Sequence, residues 1–169
     1  MYEIERKYLI SYPDVNALAA IDGSYKIEIM QDYLTPGPAG ENRRVRKWVT
    51  ESGCKYIYTQ KQKISNLKRI ENEYEITKDK YDELLKEKDS ETHTIDKVRY
   101  RVPYGGLVYE IDIFPFWDDQ AYMEAEIESE SQEIPIPPFV KLIREVTDDK
   151  RFSNNALAHT SLEELKGLK

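Results

Sequence analysis

Residues 97–102, Lys97-Val98-Arg99-Tyr100-Arg101-Val102, alternate between a basic side chain and a largely apolar one. Because successive side chains of a β-strand point to opposite faces, this alternation predicts a strand with one positively charged face and one apolar face. The same two-residue period recurs along most of the chain. It predicts eight strands, at residues 2–10, 25–34, 43–50, 55–63, 69–77, 97–102, 107–114 and 123–129.

Four helices are expected beside these strands. Residues 13–20 suit a short helix that begins near Ser11 or Pro13, and Thr77 suits the N-cap of a helix over 79–87. The apolar residues of 138–146 predict a third helix, and the capping-box form of 160–163 predicts a last one. No linker divides the chain. We therefore expect one domain over residues 1–169, of α+β class and mainly β.

Length, charge and cysteine content exclude several classes of protein. The 169 residues, 40% of them hydrophobic, suffice for a real core, but no apolar stretch approaches the ~20 residues that cross a bilayer. The net charge of −7 disfavours binding of long nucleic acid. The single cysteine, Cys54, excludes an intrachain disulfide, and two histidines disfavour a zinc site. Since residues 1–10 lack a signal-peptide core, we expect a cytoplasmic protein without membrane contact.

Ionisable residues of several strands share one face and are sorted by sign. The basic rows are Arg44-Arg46, Lys61-Lys63 and Lys97-Arg99-Arg101, and the acidic rows are Glu110-Asp112 and Glu124-Glu126-Glu128. Two arrangements are open. The charged faces of an antiparallel sheet can lie in water, or the sheet can close with the charges inside. Separation by sign favours the closed barrel, because a solvated face usually mixes signs across strands.

The two kinds of row suit two kinds of ligand. Arginine and lysine rows suit a polyanion such as a chain of phosphate groups. Acidic rows without histidine or cysteine suit a hard divalent cation, Mg²⁺ or Mn²⁺, which prefers oxygen ligands. Because the chain has no glycine-rich phosphate loop, side chains would have to hold the phosphates.

The opening Glu3-Ile4-Glu5-Arg6-Lys7 resembles the Glu-x-Glu-x-Lys signature of the CYTH superfamily, the triphosphate tunnel metalloenzymes. Further segments resemble elements of that family in the same order: Arg44-Val45-Arg46, Thr59-Gln60-Lys61, 69–73, 97–100, 109–114 and 125–128. Residues 145–154 resemble the closing element of the short bacterial members. They depart from it at Asp148, where we expect Gly, and at Phe152, where we expect Tyr.

The resemblance implies an eight-stranded antiparallel β-barrel that forms a tunnel, with flanking helices, and binding of a triphosphate with Mg²⁺ or Mn²⁺. We expect metal-dependent hydrolysis of a small triphosphate, first of all inorganic triphosphate. A class IV-type adenylate cyclase, a thiamine triphosphatase and a non-catalytic polyphosphate- or nucleotide-binding module stay open as alternatives. The expected partner is the small triphosphate, and the expected state is a monomer or homodimer.

The resemblance also implies roles for the residues of the charged rows. The expected metal ligands are Glu3, Glu5, Glu126 and Glu128. The expected triphosphate ligands are Lys7, Arg44, Arg46, Lys61, Lys97 and Arg99. Of these residues, Lys7, Glu5, Arg44 and Arg46 form the expected catalytic group. The expected supporting residues are Glu71, Glu73, Glu110 and Asp112.

Five further residues have open roles. Lys63, Arg69 and Arg101 share the charged face, and Arg151 could reach a phosphate from the closing helix. Trp48 shares the face of Arg44 and Arg46. It would either stack on an organic group at a tunnel mouth or pack at the rim.

Overall fold

The computed structural model of the protein describes residues 2–65 and 68–169. The strands are β1 (Tyr2–Ser11), β2 (Tyr25–Leu34), β3 (Asn42–Thr50), β4 (Gly53–Lys63), β5 (Lys68–Ile76), β6 (Ile95–Tyr104), β7 (Leu107–Ile113), β8 (Gln120–Ile127) and β9 (Leu142–Glu145). The helices are α1 (Val15–Ala19), α2 (Lys78–Leu84), α3 (Asn154–His159) and α4 (Leu162–Gly167), with 3₁₀ turns at Leu85–Glu87 and Lys150–Phe152.

Eight of the strands close into an antiparallel barrel, in the order β5-β4-β3-β2-β6-β7-β8-β1. Tyr2, Glu3 and Ile4 of β1 pair with residues 68–70 of β5 and complete the ring. The predicted eight-stranded barrel is therefore confirmed. Because strand parity is preserved around the ring, the charged rows meet inside it: Glu5 lies opposite Glu126, and Lys7 opposite Glu124.

The ninth strand corrects the predicted helix over 138–146, which is wrong. Instead, residues 142–145 form β9, whose Leu142, Arg144 and Glu145 pair with residues 8–10 of β1. The reason lies in the barrel. Among the described residues, β5 pairs with β1 at residues 2–4, and the later part of the same edge pairs with another strand at residues 8–10. The backbone hydrogen bonds that this later part of the β1 edge offers outweigh the helical preference indicated by the spacing of the apolar residues.

The other predicted helices form at or close to their expected positions. Asp14 caps α1 by accepting hydrogen bonds from the N–H groups of Asn16 and Ala17, and Thr77 caps α2. Ser161 caps α4. Helix α3, which the sequence did not predict, begins after Ser153, whose hydroxyl accepts a hydrogen bond from the N–H of Ala156. No helix within the described ranges has the length and apolar character needed to cross a membrane.

An apolar cluster closes one end of the barrel. The interior rows of β1, β6 and β8 change from charged to apolar at Leu9, Ile95 and Tyr122, which are all buried in this cluster. The chain after β9 returns to the same place and adds Phe152 and Leu157. The charged part of the interior is thus a cavity with an apolar floor, to which the C-terminal helices contribute.

Thr147 ties the returning segment to β1. Its hydroxyl accepts a hydrogen bond from the N–H of Lys7 at 3.0 Å and donates one to Glu145 at 2.8 Å. We expect Thr147→Val to lower the free energy of unfolding by about 1 kcal/mol, since the buried N–H loses its partner. Thermal denaturation should show a midpoint lower by about 2–4 °C, with Thr147→Ser close to wild type. A valine variant as stable as wild type would contradict this anchoring role.

Candidate active site

The barrel contains a cavity of about 440 Å³ that is lined mostly by charged and polar residues. Every strand from β1 to β8 contributes to the wall, as does the segment after β9. The lining residues with ionisable side chains on the strands, tyrosine aside, are Glu3, Glu5, Lys7, Arg44, Arg46, Lys61, Lys63, Arg69, Glu71, Glu73, Arg99, Arg101, Glu110, Glu124 and Glu126. Cations and carboxylates thus face each other across a small enclosed space.

Strand β3 supplies a basic wall. Arg44 and Arg46 are buried, and the Nε of each has no hydrogen-bond partner within the described part of the chain. Arg46 is held by Glu73 and by Thr59 Oγ1, which accepts from Nη2 at 3.2 Å. Burial, aided by the charge of Arg44, lowers the pKa of Arg46 to about 10. Two close, buried guanidinium groups make this wall a strong site for an anion.

Strand β1 contributes a row of both acidic and basic side chains to the cavity. The ammonium of Lys7 lies 2.9 Å from Glu5 Oε1, and Nη2 of Arg69 lies 2.6 Å from the same oxygen. Burial favours the neutral carboxyl of Glu5. The surrounding cations, Lys7 first, outweigh burial and lower the pKa of Glu5 to about 2. Glu5 is therefore ionised at neutral pH.

Glu3 and Glu71 form a crowded carboxylate pair. The ammonium of Lys61 lies 2.7 Å from Glu71 Oε2 and 3.4 Å from Glu3 Oε2. Burial and a hydrogen bond that Glu3 donates to Glu71 raise the pKa of Glu3 to about 8. Burial acts on Glu71 in the same direction, but the hydrogen bond with Glu3 and the charge of Lys61 hold its pKa below the usual range. The pair favours keeping one proton, because two adjacent, partly buried carboxyl groups share Lys61 as their nearest cation.

The acids of β8 carry the same excess of negative charge. Burial and then the charge of Glu5 raise the pKa of Glu124, and burial with Glu110 raises that of Glu126. A bound cation would remove this excess, and the donors are all carboxylate oxygens, as Mg²⁺ and Mn²⁺ prefer. Within residues 2–65 and 68–169, no three acidic, histidine or cysteine side chains are already assembled as a metal-binding group. The donor chemistry fits a divalent cation, and Glu3 and Glu5 of β1 are paired with lysine and arginine side chains.

Strands β6 and β7 share a buried cluster of charged side chains, which extends from the cavity to the apolar end of the barrel. Asp112 accepts from Arg99 Nε at 2.6 Å and from Lys97 Nζ at 2.7 Å, and Arg99 also donates to Glu110 at 2.7 Å. Burial lowers the pKa of Lys97 to about 8, although Asp112 opposes the shift. For Asp112, burial is outweighed by Arg99 and Lys97, which hold its pKa well below the usual range.

Known proteins resemble this chain over nearly its whole length. No family model matches it. A curated relative from Nitrosomonas europaea, named inorganic triphosphatase, is 33% identical over 165 residues, which cover 94% of this chain and 97% of the relative. The chain belongs to the CYTH superfamily. The family resemblance of its strand motifs is thereby confirmed.

Two further comparisons agree with membership of the CYTH superfamily. A relative from Acetivibrio thermocellus, also named inorganic triphosphatase, is 28% identical over 164 residues, with 97% of each chain covered. A crystal structure described as an inorganic triphosphatase has a TM-score of 0.57 and 28% identity, and covers 94% of this chain and 95% of its own. Both likenesses extend over the barrel and over the segment that follows β9.

The structure brings most of the predicted site residues of this CYTH chain to one cavity. Those that line it are Glu3, Glu5, Lys7, Arg44, Arg46, Lys61, Arg99, Glu71, Glu73, Glu110 and Glu126. Lys63, Arg69 and Arg101 line it as well. Lys97, Asp112 and Glu128, which were also predicted, are not among the lining residues.

These three exceptions result from where each residue lies along the barrel, not from which face of the sheet its side chain occupies. Lys97 and Asp112 are fully buried at the apolar end, where Lys97 lies 5.8 Å from the ring centroid of Phe114. Glu128 follows the end of β8 and is exposed, and its N–H donates to Gln132 Oε1 at 2.8 Å in a turn. Lys97 thus pairs internally, and Glu128 has left the barrel.

Sequence reasoning missed several residues of the cavity. Glu124 lies on the predicted acidic row but was not assigned to the site, and it lines the cavity opposite Lys7. Tyr33 also lines the cavity, and the available signal was its place in the same row as Gln31, where the interior row of β2 changes from apolar to polar. Lys150 lines the cavity in place of the expected Arg151, which pairs with Asp149 at 2.7 Å.

Proposed function

We propose that the protein hydrolyses inorganic triphosphate inside the barrel, with Mg²⁺ or Mn²⁺ as its cation. The observation that carries the proposal is the cavity itself, in which arginine, lysine and carboxylate side chains line one space of about 440 Å³. Two curated relatives that span almost all of this chain are named inorganic triphosphatase. They support the choice of substrate.

The basic residues would hold the three phosphoryl groups. Arg44, Arg46 and Arg99 present planar guanidinium groups that suit the bidentate geometry of phosphate oxygens. The ammonium groups of Lys7 on β1 and Lys61 on β4 add point charges to the cavity wall. Because these donors already lie in the wall, they would stabilise charge on the transferred phosphoryl group without reorganising.

The carboxylates that suit the cation are Glu3, Glu5, Glu124 and Glu126. Glu124 replaces Glu128 in the predicted set, because only Glu124 reaches the cavity. A divalent cation bound there would supply charge neutralisation at the phosphate oxygens and a more acidic bound water. Glu71 and Glu73 would orient the basic side chains, as their ion pairs with Lys61 and Arg46 indicate.

Triphosphate and the cation would bind together, and each would replace one partner in the ion pairs between side chains of the cavity wall. In the free protein, Lys7 neutralises Glu5, and Lys61 bridges Glu3 and Glu71. A triphosphate would take over the lysines and arginines, and a cation would take over the glutamates they release. Neither ligand alone replaces all of these ion pairs, so we expect each to strengthen binding of the other.

The proposal is tested by separate incubations with inorganic triphosphate, ATP and thiamine triphosphate in Mg²⁺ or Mn²⁺, with measurement of phosphate and cyclic AMP. We expect triphosphate to yield phosphate and pyrophosphate in equal amounts, and a chelator to stop the reaction. Cyclic AMP from ATP without phosphate release would instead identify a cyclase. Tight binding of triphosphate without turnover would identify a binding module.

A further inference from the structure

Trp48 has no assigned role, although it stands on the anion-binding wall. Arg44, Arg46 and Trp48 are two residues apart along β3 and therefore share its interior face. All three line the cavity. The position of Trp48 thus places an indole beside the guanidinium groups proposed to bind phosphate.

The indole is held against Arg46. The guanidinium carbon of Arg46 lies 5.0 Å from the ring centroid of Trp48, which is the distance of a cation–π contact. Glu73 and Thr59 fix Nη2 of the same guanidinium. A ligand that reaches Arg46 therefore arrives next to the indole.

The indole N–H lacks an acceptor. Nε1 of Trp48 is buried and has no hydrogen-bond partner among the residues that the structure describes. By contrast, Nε1 of Trp117 donates to the carbonyl of Leu165 at 2.7 Å. A buried donor without a partner costs about 1–3 kcal/mol, and phenylalanine would offer Arg46 an aromatic face without that cost.

The unpaired donors of this wall lie in one row. Nε of Arg44 and Nε of Arg46 are also buried without partners in the described ranges. Three donors along one strand face thus lack acceptors in these ranges, while Glu73, the carboxylate in contact with Arg46, already accepts from Arg46 and Thr59. A bound polyanion would supply several acceptor oxygens to such a row.

We propose that Trp48 is a substrate-binding residue whose indole N–H donates to a phosphate oxygen of the bound triphosphate. The proposal rests on the proposed function, because it needs an anion on the wall of β3. Arg46 keeps the indole in place, so a small side-chain shift on binding suffices to bring the N–H to the ligand. Trp48 then extends the phosphate contacts by one residue beyond the arginine pair.

Nuclear magnetic resonance of ¹⁵N-labelled protein tests the contact directly. The chain has two tryptophans and therefore two indole N–H signals, and the one absent from Trp48→Phe belongs to Trp48. Inorganic triphosphate is added with a chelator, so that no turnover occurs. We expect the Trp48 signal to move downfield with the same midpoint as the Nε–H signals of Arg44 and Arg46, while the Trp117 signal stays in place.

Two other outcomes separate this proposal from the proposed function. If the arginine signals move and the Trp48 signal does not, Trp48 does not bind the anion, and the proposed function stands. If none of these signals moves, the anion site itself is refuted and the inference with it. Should Trp48→Phe fail to fold, contacts between the indole proton and Arg46 assign the wild-type signal.

Kinetics give a second readout. We expect Trp48→Phe to raise KM for triphosphate about fivefold with little change in kcat, the effect of one lost hydrogen bond. Tyr74→Phe removes a hydroxyl from an exposed tyrosine on β5 and serves as the control with unchanged kinetics. An unchanged KM in Trp48→Phe would overturn the proposal.

Discussion

Replacing Glu5 by Gln is expected to lower metal-dependent phosphate release from triphosphate by at least about a hundredfold. Glu5 is buried and ionised, and its Oε1 meets both Lys7 and Arg69. The substitution keeps the shape of the side chain and removes the charge that would face the cation. The measurement is the initial rate of phosphate release over a range of Mn²⁺ concentrations.

The metal dependence distinguishes a ligand role for Glu5 from a purely structural one. If Glu5 holds the cation, raising Mn²⁺ should restore part of the lost rate. Glu128→Gln is the matched control, since Glu128 is exposed beyond the end of β8, and its rate should equal that of wild type. Full activity of Glu5→Gln, or loss of activity in Glu128→Gln, would refute the assignment of the acids.

Asp112→Asn is expected to lower the free energy of unfolding by about 3–5 kcal/mol, because it leaves two buried cations without their shared carboxylate. Asp112 is fully buried and accepts from both Lys97 and Arg99. In thermal denaturation the midpoint should fall by on the order of 10 °C. Asp96→Asn, at an exposed site on the same strand as Lys97, is the control and should change stability by less than about 0.5 kcal/mol.

The same substitution makes a prediction about pH. Because Arg99 and Lys97 hold the pKa of Asp112 well below its usual range, this carboxylate contributes stability above about pH 4 and loses it as the pH falls. The difference between wild type and Asp112→Asn should therefore be full at neutral pH and shrink below about pH 4. Urea denaturation between pH 3 and 7 measures it. A constant difference across this range would show that the charge of Asp112 is not what stabilises the cluster.

The barrel and its charged interior could be predicted because both depend on strand parity. Residues such as Arg44 and Arg46 lie two apart, and any antiparallel pairing places them on one face. Sorting by sign then indicated an interior rather than a solvated face. These are local properties of the sequence, and the register of the neighbouring strands preserves them.

The position of a side chain along the barrel axis could not be predicted from strand parity. Lys97 and Arg99 have the same parity, yet only Arg99 reaches the cavity, because the apolar cluster covers the end where Lys97 lies. That cluster depends on the return of residues 146–165, which no local pattern places. Strand β9 could not be predicted for the same reason, since it forms on a part of the β1 edge that the described residues of β5 leave unpaired.

The central claim is that triphosphate binds inside the barrel between the basic and acidic rows. Crystallography of Glu5→Gln with triphosphate and Mn²⁺, using the anomalous scattering of Mn²⁺, tests it most directly. We predict triphosphate density along Arg44, Arg46 and Arg99, and an anomalous peak beside Glu3, Glu124 and Glu126. Triphosphate and Mn²⁺ found only on the outer surface, with the cavity holding water, would contradict the account.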